Sequence, residues 1–295
     1  MRVTSMMQGT QLLRNIRNNN SGITDLQNKL ATGQRIHRPG DDPIGIGYLM
    51  RYNSELNRNE QFLENARTAM AYLDVMDSLM QQISDVLYRA QRLAQQGGTG
   101  TTTEDARLHI AAEVKHLKEQ LVNIGNSNFN GRYLFNGQKT DQPPYTLDNA
   151  ANDTTDRGVF YLNVSPNTSV PVSITGELIF GEAGDALNAF KVMDDLIAAL
   201  ENNDQDAILQ AMGNIDICSD RLNTQWAEIG ARRNRFELVE NRILDSQVSL
   251  EKLKSETGDV DMADAIIRLQ LKENVLQASL AIGARIMQVS LIDYI

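Results

Sequence analysis

His109, Glu113 and His116 fall at i, i+4 and i+7, so on a helix all three could face one way and offer two imidazoles and a carboxylate to zinc or another transition metal. No fourth ligand accompanies them, and a solvated polar face accounts for the same residues. Asp41 and Asp42 are adjacent, a pairing that could do acid–base work. In a corner rich in Gly and Pro, however, aspartates more often accept hydrogen bonds from nearby backbone amides. Asp259 and Asp261 look like the start of a calcium loop, but the later ligands and the central glycine are missing, and capping of a following helix is the simpler role. Gly97, Gly98 and Gly100 lack the lysine and hydroxyl pair of a phosphate loop and suit a tight turn. Cys218, the one cysteine, has no thiol partner and stands on an apolar seam, where it would act as a small core residue. Arg232, Arg233 and Arg235 form a basic cluster that local pairs with Glu228, Glu237 and Glu240 would neutralise. No catalytic residue, cofactor or metal is assigned from these patterns, and no nucleophile, base and pocket can be assembled into an enzyme.

The elements that would have to position such groups are helical and long. With 41% apolar and 22% charged residues the chain is a folded one, and its 5% aromatics, six prolines and single tryptophan leave Leu, Ile, Val, Met and Ala to supply the core. A formal charge of -10 repels phosphate backbones and anionic membranes, so neither nucleic acid nor membrane insertion is expected. The opening MRVTSMMQGTQLLRNIRNNN holds no continuous apolar stretch, so export through a cleaved signal peptide is not expected.

Ile208, Ile215, Leu222, Ile229, Phe236, Ile243 and Leu250 recur every seven residues, a coiled-coil seam along a helix from about Asp204 to Ser255. The companion row runs Ala211, Cys218, Gln225, Arg232, Val239, Ser246, Leu253, and its polar middle predicts looser packing. An earlier seam through Leu49, Tyr52, Leu56, Leu63, Ala66, Met70, Leu73, Met80, Leu87 and Ala94 is the expected antiparallel partner. It stops at Gly97; Thr101 and Glu104, at capping-box spacing, then introduce a helix over about 105–124. From 138 to 182 prolines cluster, Val170, Val172 and Ile174 alternate with Pro171, Ser173 and Thr175, and apolar runs at 159–164 and 178–180 flank them, which predicts a small β-rich insert. Helical spacing returns with Phe190, Met193, Ile197 and Leu200, and Asn202 and Asn203 break it.

Both ends read as helices in need of partners. Leu12, Ile16, Asn19, Ile23, Leu26 and Leu30 step by fours and threes, with Asn19 as a polar seam residue that fixes register. At the other end stand two rows: Met262, Ile266, Leu269, Leu276, Leu280 and Met287, and beside them Ile267, Leu271, Val275, Ala278, Ile282, Val289 and Ile292. One partner helix cannot cover so wide a face, so packing between subunits is expected there, and these ends should fold fully only on assembly. The predicted architecture is mainly α: an elongated antiparallel coiled-coil rod with the terminal helices together and a small β-rich tip. Its parts are a terminal domain of 1–45 plus 257–295, a helical domain of 46–137 plus 183–256, and the insert at 138–182.

Four segments carry a resemblance. LATGQRIHRPGDDPIG from Leu30, NFNGRYLFNG over 128–137, GDVDMADAI over 258–266 and the ending SLIDYI together resemble the bacterial flagellin family. The corner motif comprises Gly33, Arg35, Ile36, Pro39, Asp41, Asp42 and Pro43. Filament flagellins typically put alanines around the Asp-Asp pair and end in an Arg-terminated tail. The prolines here and the SLIDYI ending are similar instead to the family's hook-associated members, which join hook to filament.

That resemblance implies a non-catalytic structural role in the bacterial flagellum, with export through the flagellar type III apparatus. It also implies self-assembly in a helical ring, contacts with the first hook-associated protein and with flagellin, and a cytoplasmic export chaperone guarding the C-terminal helix. The alternatives are a filament flagellin and, further off, a type III secreted coiled-coil effector or translocator.

Overall fold

A computed structural model describes the backbone of residues 5–100 and 102–292 and the side chains of residues 7–100 and 102–285. The elements are α1 (Ser5–Thr32), α2 (Pro43–Gly97), α3 (Glu104–Gly125), β1 (Asn128–Phe129), β2 (Arg132–Tyr133), β3 (Tyr161–Ser165), β4 (Thr168–Pro171), α4 (Gly176–Phe180), α5 (Ala189–Glu201), α6 (Gln205–Gly258) and α7 (Met262–Ile292). The fold is mainly α, and its strands form two antiparallel hairpins, β1 with β2 and β3 with β4. Two compact units divide the chain: residues 1–58 with 246–295, and residues 59–245. Helix α2, with 55 residues, is about 80 Å long, and α6, with 54, is nearly its equal.

In the second unit α2 and α6 run antiparallel, and their polar contacts give the register. Arg67 Nε meets Glu240 Oε1 at 2.9 Å, Arg233 Nε meets Asp74 Oδ1 at 2.6 Å, and Trp226 Nε1 donates to Asp77 Oδ1 at 2.6 Å. Gln91 bonds Asp216 further along. Beneath them the heptad seam is closed: Ile208, Ile215, Leu222, Ile229 and Phe236 are each no more than 1% exposed. On α2, Leu73, Met76, Met80 and Ile83 are fully buried, each contributing about 1.5–3 kcal/mol of hydrophobic stabilisation. The companion row of α6 is polar in the middle, as its sequence predicts, with Gln225 and Arg232 half-buried.

The basic cluster differs from expectation. Arg232 pairs with Glu228 at 2.9 Å, but Arg233 reaches across to Asp74, and Glu240 is taken by Arg67. Arg232 keeps the local pair, while Arg233 and Glu240 find partners within reach on α2.

Thr103 caps α3 by accepting from Ala106 N at 3.4 Å; Thr101, placed at the cap by its spacing to Glu104, lies outside the described residues. Arg107, buried in the first turn of α3, ties the preceding turn together. Its Nε donates to Gly97 O at 2.9 Å, another guanidinium N–H donates to Thr99 O at 3.2 Å, and Asn203 bonds a third.

The insert is less strand-rich than predicted. The run 178–180 is helix α4, one short turn in which Ile179 and Phe180 face the core, and it ends at Gly181, whose φ of 105° suits glycine. The expected alternation fails past Pro171: Ser173 and Thr175 are buried along with Val172 and Ile174. The segment leaves the hairpin and passes beneath α6, where Ser173 O accepts from Arg232 at 3.0 Å and Ser173 Oγ accepts from Phe160 N at 2.8 Å.

Phe135, Tyr145, Phe180 and Phe190 then gather into an aromatic cluster, with centroids 4.8 Å apart for Tyr145–Phe190 and 5.8 Å for Phe135–Phe180. Burial pushes the Tyr145 hydroxyl well above its ordinary pKa.

Candidate functional site

The chemistry-bearing corner lies in the first unit and begins where α1 must stop. Gly33 takes φ 72° and donates to Lys29 O, the left-handed C-terminal cap that glycine provides without strain. The chain then meets the segment before α7 as a two-bond antiparallel clasp: Arg35 N donates to Gly258 O at 2.6 Å, and Val260 N donates to Gly33 O at 2.9 Å. The Arg35 side chain adds a bond to Thr257 O at 2.7 Å and an ion pair with Asp42 at 3.7 Å, and Ile36 is buried beneath.

Each aspartate of the pair organises backbone. Asp41 Oδ2 accepts from His37 N and Arg38 N, both at 3.0 Å, and these two amides hold its carboxyl below the ordinary pKa. Asp42 caps α2 by accepting from Gly45 N at 2.9 Å, with Pro43 in the first helical position, where its missing N–H costs nothing. Any side chain at Gly45 would strike Asp42 and Ile36. On the other side Asp261 Oδ1 caps α7, accepting from Ala263 N and Asp264 N at 3.0 and 3.2 Å. Asp259 does not cap that helix; it accepts from Ser255 Oγ at 2.6 Å and closes the end of α6.

From this corner α1 and α7 run antiparallel. Leu12, Ile16, Asn19, Leu26 and Leu30 are half-buried and Ile23 is buried, the whole α1 row that the sequence singled out. Asn19 Nδ2 donates to Lys272 O at 2.8 Å. On α7 the covered row is Ala265, Leu269, Lys272, Leu276, Ser279 and Gly283. Two glycines make the approach close: a side chain at Gly283 would meet Leu12, and one at Gly22 would meet Lys272. Of the α7 residues expected to pack, Leu269 and Leu276 turn to α1, while Ile266, Leu280 and Ile282 remain exposed. So does most of the second row, with Ile267 and Leu271 each 63% exposed and Val275 46%. Met287, Val289 and Ile292 lie outside the residues whose side chains are described. The outcome is an aliphatic face on α7 that its own chain leaves in solvent, an arrangement that marks interaction surfaces.

The remaining candidates form no centre. Glu113 is engaged by Arg89 at 2.7 Å, and exposed His116 sits 3.2 Å from Glu119. Among the described residues no three metal-ligating side chains converge, and no helix is long and apolar enough to cross a membrane. Cys218 is buried on the seam, where burial pushes its thiol pKa up despite the Arg221 guanidinium 3.4 Å away. Sequence reasoning missed Arg107. It also missed the Asn130-Gly131 hairpin turn, whose signal was present in the dipeptide itself.

A chain with paired helical ends and an aliphatic face left in solvent is, as a class, a helical structural subunit. Comparison with known proteins makes the class specific. The bacterial flagellin N-terminal helical region matches residues 3–140 and the C-terminal helical region matches residues 212–295. The chain belongs to the bacterial flagellin family. It is 25% identical to the flagellar hook-associated protein 3 of Escherichia coli, over 95% of each chain. It is also 25% identical to the flagellar filament 33 kDa core protein of Treponema phagedenis, over 92% of this chain and 91% of that one. A solved structure from Vibrio parahaemolyticus, provisionally described as a flagellar hook-associated protein, shares the fold with a TM-score of 0.69 at 21% identity. It covers 74% of this chain and 100% of that one.

Proposed function

We propose that the chain is a non-catalytic junction subunit of the bacterial flagellum, joining the hook side, through the first hook-associated protein, to the flagellin filament. The observation that carries the structural role is the open aliphatic face of α7. A helix that has spent one side on α1 and still exposes Ile267, Leu271, Val275 and Ile282 has apolar area to bury against neighbouring copies. Such neighbours form a helical ring, and before assembly a cytoplasmic export chaperone would sheathe the same face during passage through the flagellar type III apparatus. Residues 138–182 then serve as an insert that takes no part in the terminal packing.

Junction rather than filament is supported by the corner, where Pro39 and Pro43 flank the Asp41-Asp42 pair, and by the SLIDYI ending. The filament core proteins among the relatives support the second reading, a filament flagellin. Electron microscopy of flagella from cells lacking the gene, with an immunoblot of the medium for flagellin, separates them. Hooks without filaments and free flagellin outside are expected. Bare hooks with no flagellin anywhere would make this chain the filament subunit, and intact filaments would overturn both readings.

A further inference from the structure

The chain holds two Asn-Gly pairs, Asn130-Gly131 and Asn136-Gly137, six positions apart, and the fold treats them oppositely. Asn130 and Gly131 are the two central residues of the β1–β2 hairpin, at φ 51° and 76°, with Phe129 opposite Arg132. Both are exposed. As the second central residue of a two-residue turn, Gly131 has an amide that is not needed by the ladder, and it lacks the side chain that would hinder approach to its neighbour. Asn136 is buried, and both ends of its side chain are occupied: Nδ2 donates to Gln142 O at 3.1 Å, and Oδ1 accepts from Asp156 N at 3.2 Å. The space beside Gly137 is filled by Asp156 and Gly158.

From this contrast we infer that Asn130 is a site of spontaneous, position-selective deamidation that converts the hairpin turn to aspartate and isoaspartate, while Asn136 is protected. Hydroxide removes the proton from Gly131 N, and the nitrogen attacks Asn130 Cγ. The Cγ–Nδ2 bond breaks, and ammonia leaves carrying a proton from water. Water then adds to either carbonyl of the five-membered imide and opens it. One water is consumed and one ammonia released, and nothing is oxidised or reduced. The product carries a new carboxylate two residues from Arg132. In the isoaspartyl form the main chain gains a methylene inside a turn whose length sets the register of Asn128 with Tyr133. Asn130 also lines a cleft of about 670 Å³ with Tyr72, Phe129, Tyr133 and Phe160, so the change alters its wall.

The test is to incubate the purified full-length chain at several pH values from neutral to mildly alkaline and map its peptides by mass spectrometry, labelling isoaspartate with a protein isoaspartyl methyltransferase. Conversion at Asn130 should rise in proportion to hydroxide and exceed that at Asn136 by roughly tenfold or more, because two hydrogen bonds guard the latter. In denaturant the two sites should convert at similar rates. Equal rates in the native chain, no conversion at Asn130, or a persistent difference in denaturant would each overturn the inference. An Asn130→Gln variant, which keeps an amide but disfavours ring closure, should lose the signal at this position alone.

Discussion

The side-chain amide of Asn19 on α1 donates to the main-chain carbonyl of Lys272 on α7, 2.8 Å away and 253 residues distant in sequence. It is a polar tie inside an otherwise apolar row, and a shift of one turn would leave the amide without this partner. Replacing Asn19 by Ala should therefore cost about 0.5–1.5 kcal/mol locally. Hydrogen exchange of the α7 amides should read this as faster opening, with exchange in α3 and α5 unchanged.

Burial separates two kinds of change on the terminal helices. Ile23→Ala removes a buried side chain and should lower stability by about 2–4 kcal/mol, seen as a lower denaturation midpoint. The pair Ile267→Asp and Leu271→Asp lies on the open face and should leave monomer stability within about 0.5 kcal/mol. The same pair should abolish filament growth on hooks. Filaments of normal length from that variant would sink the assembly role of α7.

Asp41 gives the corner a pH dependence of known sign. Its carboxyl pKa is depressed by the His37 and Arg38 amides, so its contribution is present above the ordinary value of 3.8 and is lost as pH falls through the lower folded value. An NMR titration should place the Asp41 midpoint below 3.8, with the His37 and Arg38 amide signals moving in step. Asp41→Asn should remove that coupled shift and leave the cap at Asp42 intact.

Arg107 should tolerate replacement poorly. Arg107→Met takes the guanidinium from the carbonyl of buried Gly97 and leaves Thr99 O with the Thr102 amide alone, at a cost of about 1–3 kcal/mol. Urea denaturation followed by circular dichroism measures it, and Arg107→Lys should recover only part of the loss, since an ammonium cannot span the same three acceptors.

Much of this was legible in the residues because long helices repeat. The α6 heptads from Ile208 to Ile243 fall on buried positions and the fours and threes of α1 on covered ones, while Leu253 at the end of the α6 companion row is exposed. On α7 the same logic marks two rows too wide for one partner helix, and apart from Leu269 and Leu276 their described members are left open. The face turned to α1 carries Ala265, Lys272, Ser279 and Gly283 between its leucines, because close approach of two helices favours small residues and the stem of a lysine over bulk. Counting large apolar side chains therefore points at the face left open. The Leu178–Phe180 run misleads for another reason: three apolar residues are too few to tell a strand from one helical turn, and burial of Ile179 and Phe180 decides it. Arg107 was illegible because nothing local marks a helical arginine as buried.

The clasp at the corner also bears on when folding is finished. Arg35 and Thr257 are 222 positions apart, so their bond closes a loop that takes in the whole second unit and leaves α1 and α7 outside it. Closing such a loop is entropically unfavourable unless the intervening sequence has already condensed. The pairing of Gln34 with Asp259 is thus a late event, and the Arg35 and Val260 amides would serve as a checksum on the enclosed chain: protected only when everything between them is in place.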